Sequence, residues 1–307
     1  MRKMIFIIIS IFLVVALFVI PSFADERTDE GGTPQKDFPL GFPFESWGGV
    51  KYTWDDPEYQ YDAEEGFHYE AYFEQGVDWF EVYKIKFNTF AGFILDMSDT
   101  QEYYCDDNVE LVLGTKAKYF FELSPISWGT IALGVRAEMY WFTSSKSPMD
   151  DGEKYVLFEQ WSFDGDLRNL EMLKSTGTNP FPLGYPFLSW GELSYTWNDI
   201  ETGWLIECYI EQGIDWFKFY DFTFNTFSGL VIAQSDDKPE YWNNKVSPRL
   251  GIKIKRPISF FEGPWAELTL GVHGEYDAYT SSQSPKDVFR LEAYVQWAFS
   301  GDWKTIK

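Results

Sequence analysis

Two pairs of carboxylates recur at the same spacing, Glu74 with Asp78 and Glu211 with Asp215. They lie in two near-identical stretches, EQGVDWFEVYKIKFNTFAG from 74 and EQGIDWFKFYDFTFNTFSG from 211, with 12 of 19 positions identical. Glycosidases hold two carboxyl groups about 5–9.5 Å apart, whereas positions four apart on one strand are separated by about 13 Å. We therefore expect charges that pair with Lys or Arg on adjacent strands, and no catalytic pair.

The chain contains two histidines, His68 and His273. Aligning the two copies places His68 opposite Leu205 and His273 opposite Arg136, so the histidines are not equivalent. Neither stands at a metal-ligand spacing or in a recognisable nucleophile setting. The sequence therefore predicts no enzyme activity, no cofactor and no metal site. The two cysteines, Cys105 and Cys208, are also at non-equivalent positions and are expected to be free thiols.

The formal net charge is -23. Residues 1–24 contain Arg2 and Lys3 and no acidic residue. Without this segment, the chain has 23 basic and 48 acidic residues, a net charge of -25. Such a charge excludes nucleic acid as a partner, because phosphate binding needs a positive surface. Acidic runs such as Asp106-Asp107 and Asp150-Asp151 lack the ligand order of an EF-hand. Solvated charge is the simpler interpretation, with binding of small solutes or cations left open.

The polar residues must be positioned by strands, because apolar residues alternate with polar ones throughout. Ile131, Leu133, Val135 and Ala137, for example, alternate with Thr130, Gly134, Arg136 and Glu138. No helical period is present after residue 37. We predict six strands in the first copy, near residues 47–54, 67–81, 84–97, 109–123, 129–142 and 154–164, and six equivalent strands in the second.

The chain is organised as a leader followed by a tandem duplication. Arg2-Lys3, an apolar run from 5 to 20 and Ser22-Phe23-Ala24 indicate a signal peptide over residues 1–24. Residues 25–37 are polar and are interpreted as a disordered lead. Two repeats follow, 38–167 and 181–303, joined by a linker at 168–180. A unit of about 140 residues is too long for a solenoid or propeller repeat, so we predict that both repeats form one barrel over 38–307.

The predicted connections alternate between long and short. Residues 55–66 and 98–108 form long acidic connections, whereas the connection near 82–83 is only one or two residues. This alternation is typical of up-and-down barrels in bacterial outer membranes, which have short periplasmic turns and longer outer loops. Predicted strands of ten or more residues also reach the roughly 9–11 residues that a tilted spanning strand needs.

The content of the polar face separates a membrane barrel, whose apolar face points outward, from a soluble one. Here that face mixes both signs of charge with glycine, which suits a crowded polar lumen. We expect eleven polar residues to face this lumen: Glu74, Asp78, Asn88, Lys116, Arg136, Glu138, Glu211, Asp215, Asn225, His273 and Glu275. Aromatic residues make up 20% of the chain, and Trp47, Trp54, Trp79 and Trp141 near strand ends are predicted to form an interfacial girdle.

From residue 38 to 303 the chain resembles bacterial outer-membrane β-barrel proteins as a class. The resemblance implies an all-β, antiparallel up-and-down barrel of about 12 strands in the outer membrane, with lipid as its partner. It also implies a passive, porin-like channel or a surface structural protein. One departure is the C-terminus, because the chain continues past Phe299 to Lys307. The alternative is a secreted or periplasmic soluble protein with two β-rich binding modules, which use aromatic residues on glycans.

Overall fold

The computed structural model describes residues 38–55, 66–99, 107–123, 127–143, 151–169, 181–197, 202–236, 244–258, 265–281 and 287–305. The predicted signal peptide, the polar lead and Cys105 lie outside these residues. Among them, no helix is long and apolar enough to span a membrane.

Twelve strands account for most of the described chain. They are β1 Pro43–Asp55, β2 Gly66–Val82, β3 Ile85–Ser98, β4 Asn108–Leu123, β5 Ser127–Phe142, β6 Gly152–Asp166, β7 Pro186–Trp197, β8 Thr202–Phe219, β9 Phe222–Ser235, β10 Lys245–Pro257, β11 Trp265–Tyr279 and β12 Val288–Asp302. Five of the six strands predicted in the first repeat have both ends within two residues of these limits. The exception is β1, which begins four residues earlier than expected.

All twelve strands belong to one closed antiparallel barrel in which each strand pairs with its neighbours in sequence, and β1 pairs with β12. The predicted all-β, up-and-down fold is therefore confirmed. The seam between β1 and β12 runs without a break from Pro43 opposite Asp302 to Asp55 opposite Arg290. The two repeats also share a seam, where β6 pairs with β7. The alternative of two separate β modules is wrong, because neither repeat closes on itself.

Two hairpins are tight. Only Tyr83 and Lys84 separate β2 from β3, and both have positive φ, 52° and 67°. This is the backbone that two-residue hairpin turns require, because it matches the twist of the flanking strands. Tyr220 and Asp221 form the equivalent turn between β8 and β9. Lys84, the predicted first residue of the strand 84–97, lies in the turn.

The outward face of the barrel is apolar at mid-height. Leu133, Val135, Leu270 and Val272 are 57%, 49%, 54% and 39% exposed, as expected for the apolar face of a membrane barrel. Glu159 is an exception. It is exposed, it is the eighth of fifteen residues in β6, and it stands in register with Leu133 and Leu193.

The segments before β1 and after β12 are fixed to the same end of the barrel. The amide of Leu40 donates to the carbonyl of Asp78 at 2.7 Å. After β12 the chain makes a short 3-10 turn, in which the Trp303 ring lies 4.4 Å from that of Phe44. Residues 300–302 therefore complete the last strand, and Trp303 packs on Phe44 at the start of β1.

Candidate functional site

The candidate site is the interior of the barrel, where ionised side chains pair across strands that are not neighbours. Lys116 on β4 lies 2.7 Å from Glu74 on β2, past the intervening β3. Lys253 on β10 similarly lies 2.6 Å from Glu211 on β8. Side chains two strands apart approach each other on the concave side of a closed sheet and diverge on the convex side. These pairs therefore lie inside the barrel.

The same small network occurs in both repeats. The Asn88 amide donates to Asp78 at 2.7 Å, and the Asn225 amide donates to Asp215 at 2.7 Å. Lys255 contacts Asp215 at 3.0 Å. Asp78 lies 3.9 Å from the ammonium of Lys86. Each of the four repeated carboxylates therefore has a cationic partner.

These carboxylates are thus arranged as paired charges and not as an acid and a nucleophile. Glu74 and Lys116 are only 4% and 6% exposed. Removing two charges from water is expensive unless they pair closely, and the recurring Tyr72 hydroxyl, 2.7 Å from Glu74, supplies a further hydrogen bond. The geometry stabilises fixed charges inside the barrel and leaves none of the four carboxylates available as a free general base.

Arg136 on β5 forms the centre of a second network. Its guanidinium donates to both oxygens of Glu192 on β7, at 2.7 and 2.8 Å, and also contacts Glu138. Lys154 lies 2.8 Å from Glu138, which is 2% exposed. The Gln160 amide donates to Glu192 at 2.6 Å. The bidentate pair of Arg136 and Glu192 joins the two repeats through the barrel interior.

His273 occupies the corresponding position in the second repeat and has different surroundings. Its Nε2 lies 3.5 Å from Glu275 and 3.3 Å from Glu292. Arg249 contacts Glu275 at 2.5 Å, and Lys51 contacts Glu292 at 3.4 Å. His273, Glu275 and Glu292 are all at least nine-tenths buried.

An apolar cluster interrupts the polar interior. Phe90, Val112, Val156 and Phe158 are each at most 2% exposed and pack together. Glycine makes room for the rings: a Cβ on Gly134 would lie 2.5 Å from Phe158. The Lys116 ammonium lies 4.4 Å from the centre of the Phe90 ring, and the Arg136 guanidinium lies 4.8 Å from that of Phe158. Cations and aromatic rings thus fill this part of the interior together.

A cavity of about 300 Å³ opens next to this cluster. Glu110, Arg136, Glu138, Lys154, Glu192 and Glu207 contribute charged groups to its wall. It also reaches Thr202 and Asp236, which flank the β7–β8 and β9–β10 connections. The cavity therefore lies toward the end of the barrel opposite the tight turns.

Sequence reasoning missed several members of these networks. It did not select Glu192, Lys154 or Glu292, because alternation assigns a residue to a face and does not identify its partner two strands away. Trp47 was assigned to an interfacial girdle, which is wrong. Its ring lies 5.5 Å from that of Tyr72, opposite it in register. Because the Tyr72 hydroxyl donates to Glu74, Trp47 belongs to the interior face.

Solved structures with a similar overall arrangement include outer-membrane proteins. The β domain of the Bordetella autotransporter Brka is 10% identical, and the match covers 84% of this chain and 98% of that one, with a TM-score of 0.41. An outer membrane channel from Pseudomonas putida F1 is 10% identical over 88% and 100% of the two chains, with a TM-score of 0.39. KdgM porin is 8% identical over 82% and 98%, with a TM-score of 0.30. No protein-family model and no curated protein sequence matches this chain.

Proposed function

We propose that this chain is a bacterial outer-membrane β-barrel, surrounded by lipid, with a narrow charged interior that passes small solutes or cations. The observation that carries the proposal is the contrast between the two faces. Leu133 and Leu270 on the outside are more than half exposed, whereas Glu138 and Glu275 on the same strands are 2% exposed. A barrel in water would bury the leucines and expose the carboxylates.

The proposal includes export and a lumen role for the eleven predicted residues. Residues 1–24 would direct export, and residues 38–307 would insert as one unit built from the repeats 38–167 and 181–303. The ion pairs that involve Glu74, Arg136 and Glu211 support a polar lumen in which charge is fixed at defined heights. No catalytic, cofactor or enzymatic role is proposed for these groups.

A small conductance with cation preference is expected. Twelve strands enclose a limited lumen, and the Phe90 and Phe158 rings reduce it further. The excess of acidic over basic residues, 48 against 25, favours cations over anions. Single-channel recording in a planar bilayer under a KCl gradient measures both quantities, and a reversal potential of the anion-selective sign would contradict the proposal.

Two adjacent substitutions sharpen this test. Phe158→Ala removes a buried ring from the interior and should raise the conductance several-fold. Leu157→Ala is the matched control, because Leu157 is the next residue in β6 and is 41% exposed on the outer face. The control should leave the conductance at its original value. Equal conductances for the two variants would contradict a passage next to Phe158.

A surface structural protein is the second candidate. It is favoured by one observation, namely that the Phe90, Val112, Val156 and Phe158 cluster is at most 2% exposed and fills part of the interior. This candidate predicts no conductance for the original chain. Absence of current from both the original chain and Phe158→Ala would favour it over a channel.

A further inference from the structure

We propose that His273, Glu275 and Glu292 form a binding site for a divalent transition-metal ion such as Zn²⁺. Among the described residues, these three bring one ligand atom each to within 4.8 Å of one another. The inference concerns binding and does not depend on whether the barrel conducts.

The local structure places the three side chains together. His273 and Glu275 are two residues apart on β11 and therefore share a face. Glu292 on β12 is the register partner of His273, and directly opposed side chains have Cβ atoms about 4.5–5.5 Å apart. The resulting Nε2 to Oε2 distances are 3.3 Å to Glu292 and 3.5 Å to Glu275. Ligands at the ~2.0–2.1 Å bond lengths of tetrahedral zinc lie about 3.3 Å apart.

The imidazole is buried without hydrogen bonds. His273 is 6% exposed, and neither Nδ1 nor Nε2 has a hydrogen-bond partner. The Oε2 atom of Glu275 also lacks one, although the Arg249 guanidinium lies 2.5 Å away. Buried polar atoms are nearly always satisfied, because leaving them unpaired costs free energy. A metal ion at the point where Nε2 and the two Oε2 atoms converge would give His273 Nε2 and Glu275 Oε2 the partner that each lacks.

The neighbouring groups orient the carboxylates toward that point. Glu292 accepts from the Thr53 hydroxyl at 3.3 Å and from the Lys51 ammonium at 3.4 Å, both through Oε1, so its Oε2 is directed to His273. Arg249 contacts Oε2 of Glu275 at 2.5 Å. A carboxylate oxygen has two lone pairs and can serve a metal and a guanidinium together. A nitrogen and two oxygens suit Zn²⁺, Mn²⁺ or Fe²⁺ better than Mg²⁺ or Ca²⁺.

The first repeat provides an internal comparison. Aligning the repeats puts Arg136, Glu138 and Val156 at the positions of His273, Glu275 and Glu292. There the guanidinium itself supplies the positive charge, through its contacts with Glu138 and Glu192. The first repeat therefore has a built-in cation and lacks two of the three ligands. The variants His273→Arg and Glu292→Val convert the second site to the first.

Zinc titration by calorimetry tests the proposal on the full mature chain, purified in detergent micelles and treated with EDTA. We expect about one equivalent of tight zinc binding for the original chain, and its loss in His273→Arg and in Glu292→Val. His68→Gln is the control. His68 lies 3.2 Å from Asp96 and, within the part of the chain that the structure describes, belongs to no group of three such ligands, so this variant should bind as tightly as the original.

Each other outcome counts against the site. Unchanged zinc binding by His273→Arg would show that the ion binds outside this site, for example at acidic loops. Loss of zinc binding in His68→Gln would also place the ion outside the three-residue site. Absence of binding by the original chain would overturn the proposal directly. Heat-modifiable gel migration of each variant shows that the barrel has folded. The visible absorption of bound Co²⁺ provides a second readout that does not depend on the heat of binding. It is expected in the original chain and should be absent from His273→Arg.

Discussion

Exchanging Glu159 and Val295 provides a sensitive test of which face meets lipid. The two are equivalent in the repeats, and each is the eighth of fifteen residues in its strand. Val295 is 41% exposed and lies opposite Val50 and Leu270. Glu159 has the same outward position among leucines. The first half therefore carries a carboxylate at mid-height where the second half carries an apolar side chain.

The expected change in stability follows from the free energy of placing a charged side chain at the bilayer centre. Arg or Lys on the lipid face at mid-height costs about 2–4 kcal/mol, and an acidic residue costs less. We expect Val295→Glu to lower the free energy of unfolding by about 1–2 kcal/mol and Glu159→Val to raise it by a similar amount, a factor of about 5–30 in the folding equilibrium. The double exchange should be close to neutral, because effects at distant sites add.

Denaturant unfolding in phospholipid vesicles, followed by tryptophan fluorescence, measures these differences. Val295→Lys extends the series and should be more destabilising than Val295→Glu. On a water-exposed surface, substitutions usually change stability by less than about 0.5 kcal/mol. Changes of that size in all variants, or stabilisation by Val295→Glu, would refute the assignment of this face to lipid.

Three further predictions concern the interior and the closure of the barrel. Lys116→Met should lower the free energy of unfolding by about 3–5 kcal/mol, because it leaves Glu74 buried without its cation. Adding Glu74→Gln should recover much of the loss in the same unfolding assay. Equal stabilities of the single and double variants would contradict this pairing. Gly134→Val should destabilise by about 1–3 kcal/mol, since its Cβ would lie 2.5 Å from the Phe158 ring and the Thr115 carbonyl oxygen; unchanged thermal stability would contradict the close contact. Residues 25–170 expressed alone should give no heat-modifiable gel band, because β1 and β6 lose their partners β12 and β7; a compact, heat-sensitive band would show that half of the chain closes independently.

The fold could be predicted from the sequence because alternation is a local property. Residues 129–142 alternate almost without exception, and their observed strand, β5, differs from the prediction by two residues at one end. The start of β1 was harder to predict. Pro43 and Phe44 have no strong alternation, and the pairing of this segment depends on β12 and Trp303, more than 250 residues later in the chain.

The interior could be predicted only in part. Alternation shows which face of the sheet a side chain occupies, but it does not show which residue that side chain contacts. Alternation selected Arg136, Glu138 and His273, each of which the structure places in an ion-pair network. It did not show that Arg136 reaches Glu192, since that contact depends on barrel curvature. Phe90 and Trp47 violate the simple pattern because glycine and tyrosine on adjacent strands accommodate their rings inside the barrel.

Spin-label accessibility along β5 and β11 tests the central claim most directly. Single cysteines would replace Leu133, Val135, Leu270 or Val272 on one face and Glu138 on the other, in a Cys105→Ser/Cys208→Ser background reconstituted in vesicles. Outward lipid contact predicts high collision rates with oxygen and low rates with a water-soluble nickel reagent at the four apolar positions, and no such oxygen preference at Glu138. Nickel accessibility at Leu133 and Leu270 equal to that of a water-exposed site would contradict the membrane assignment.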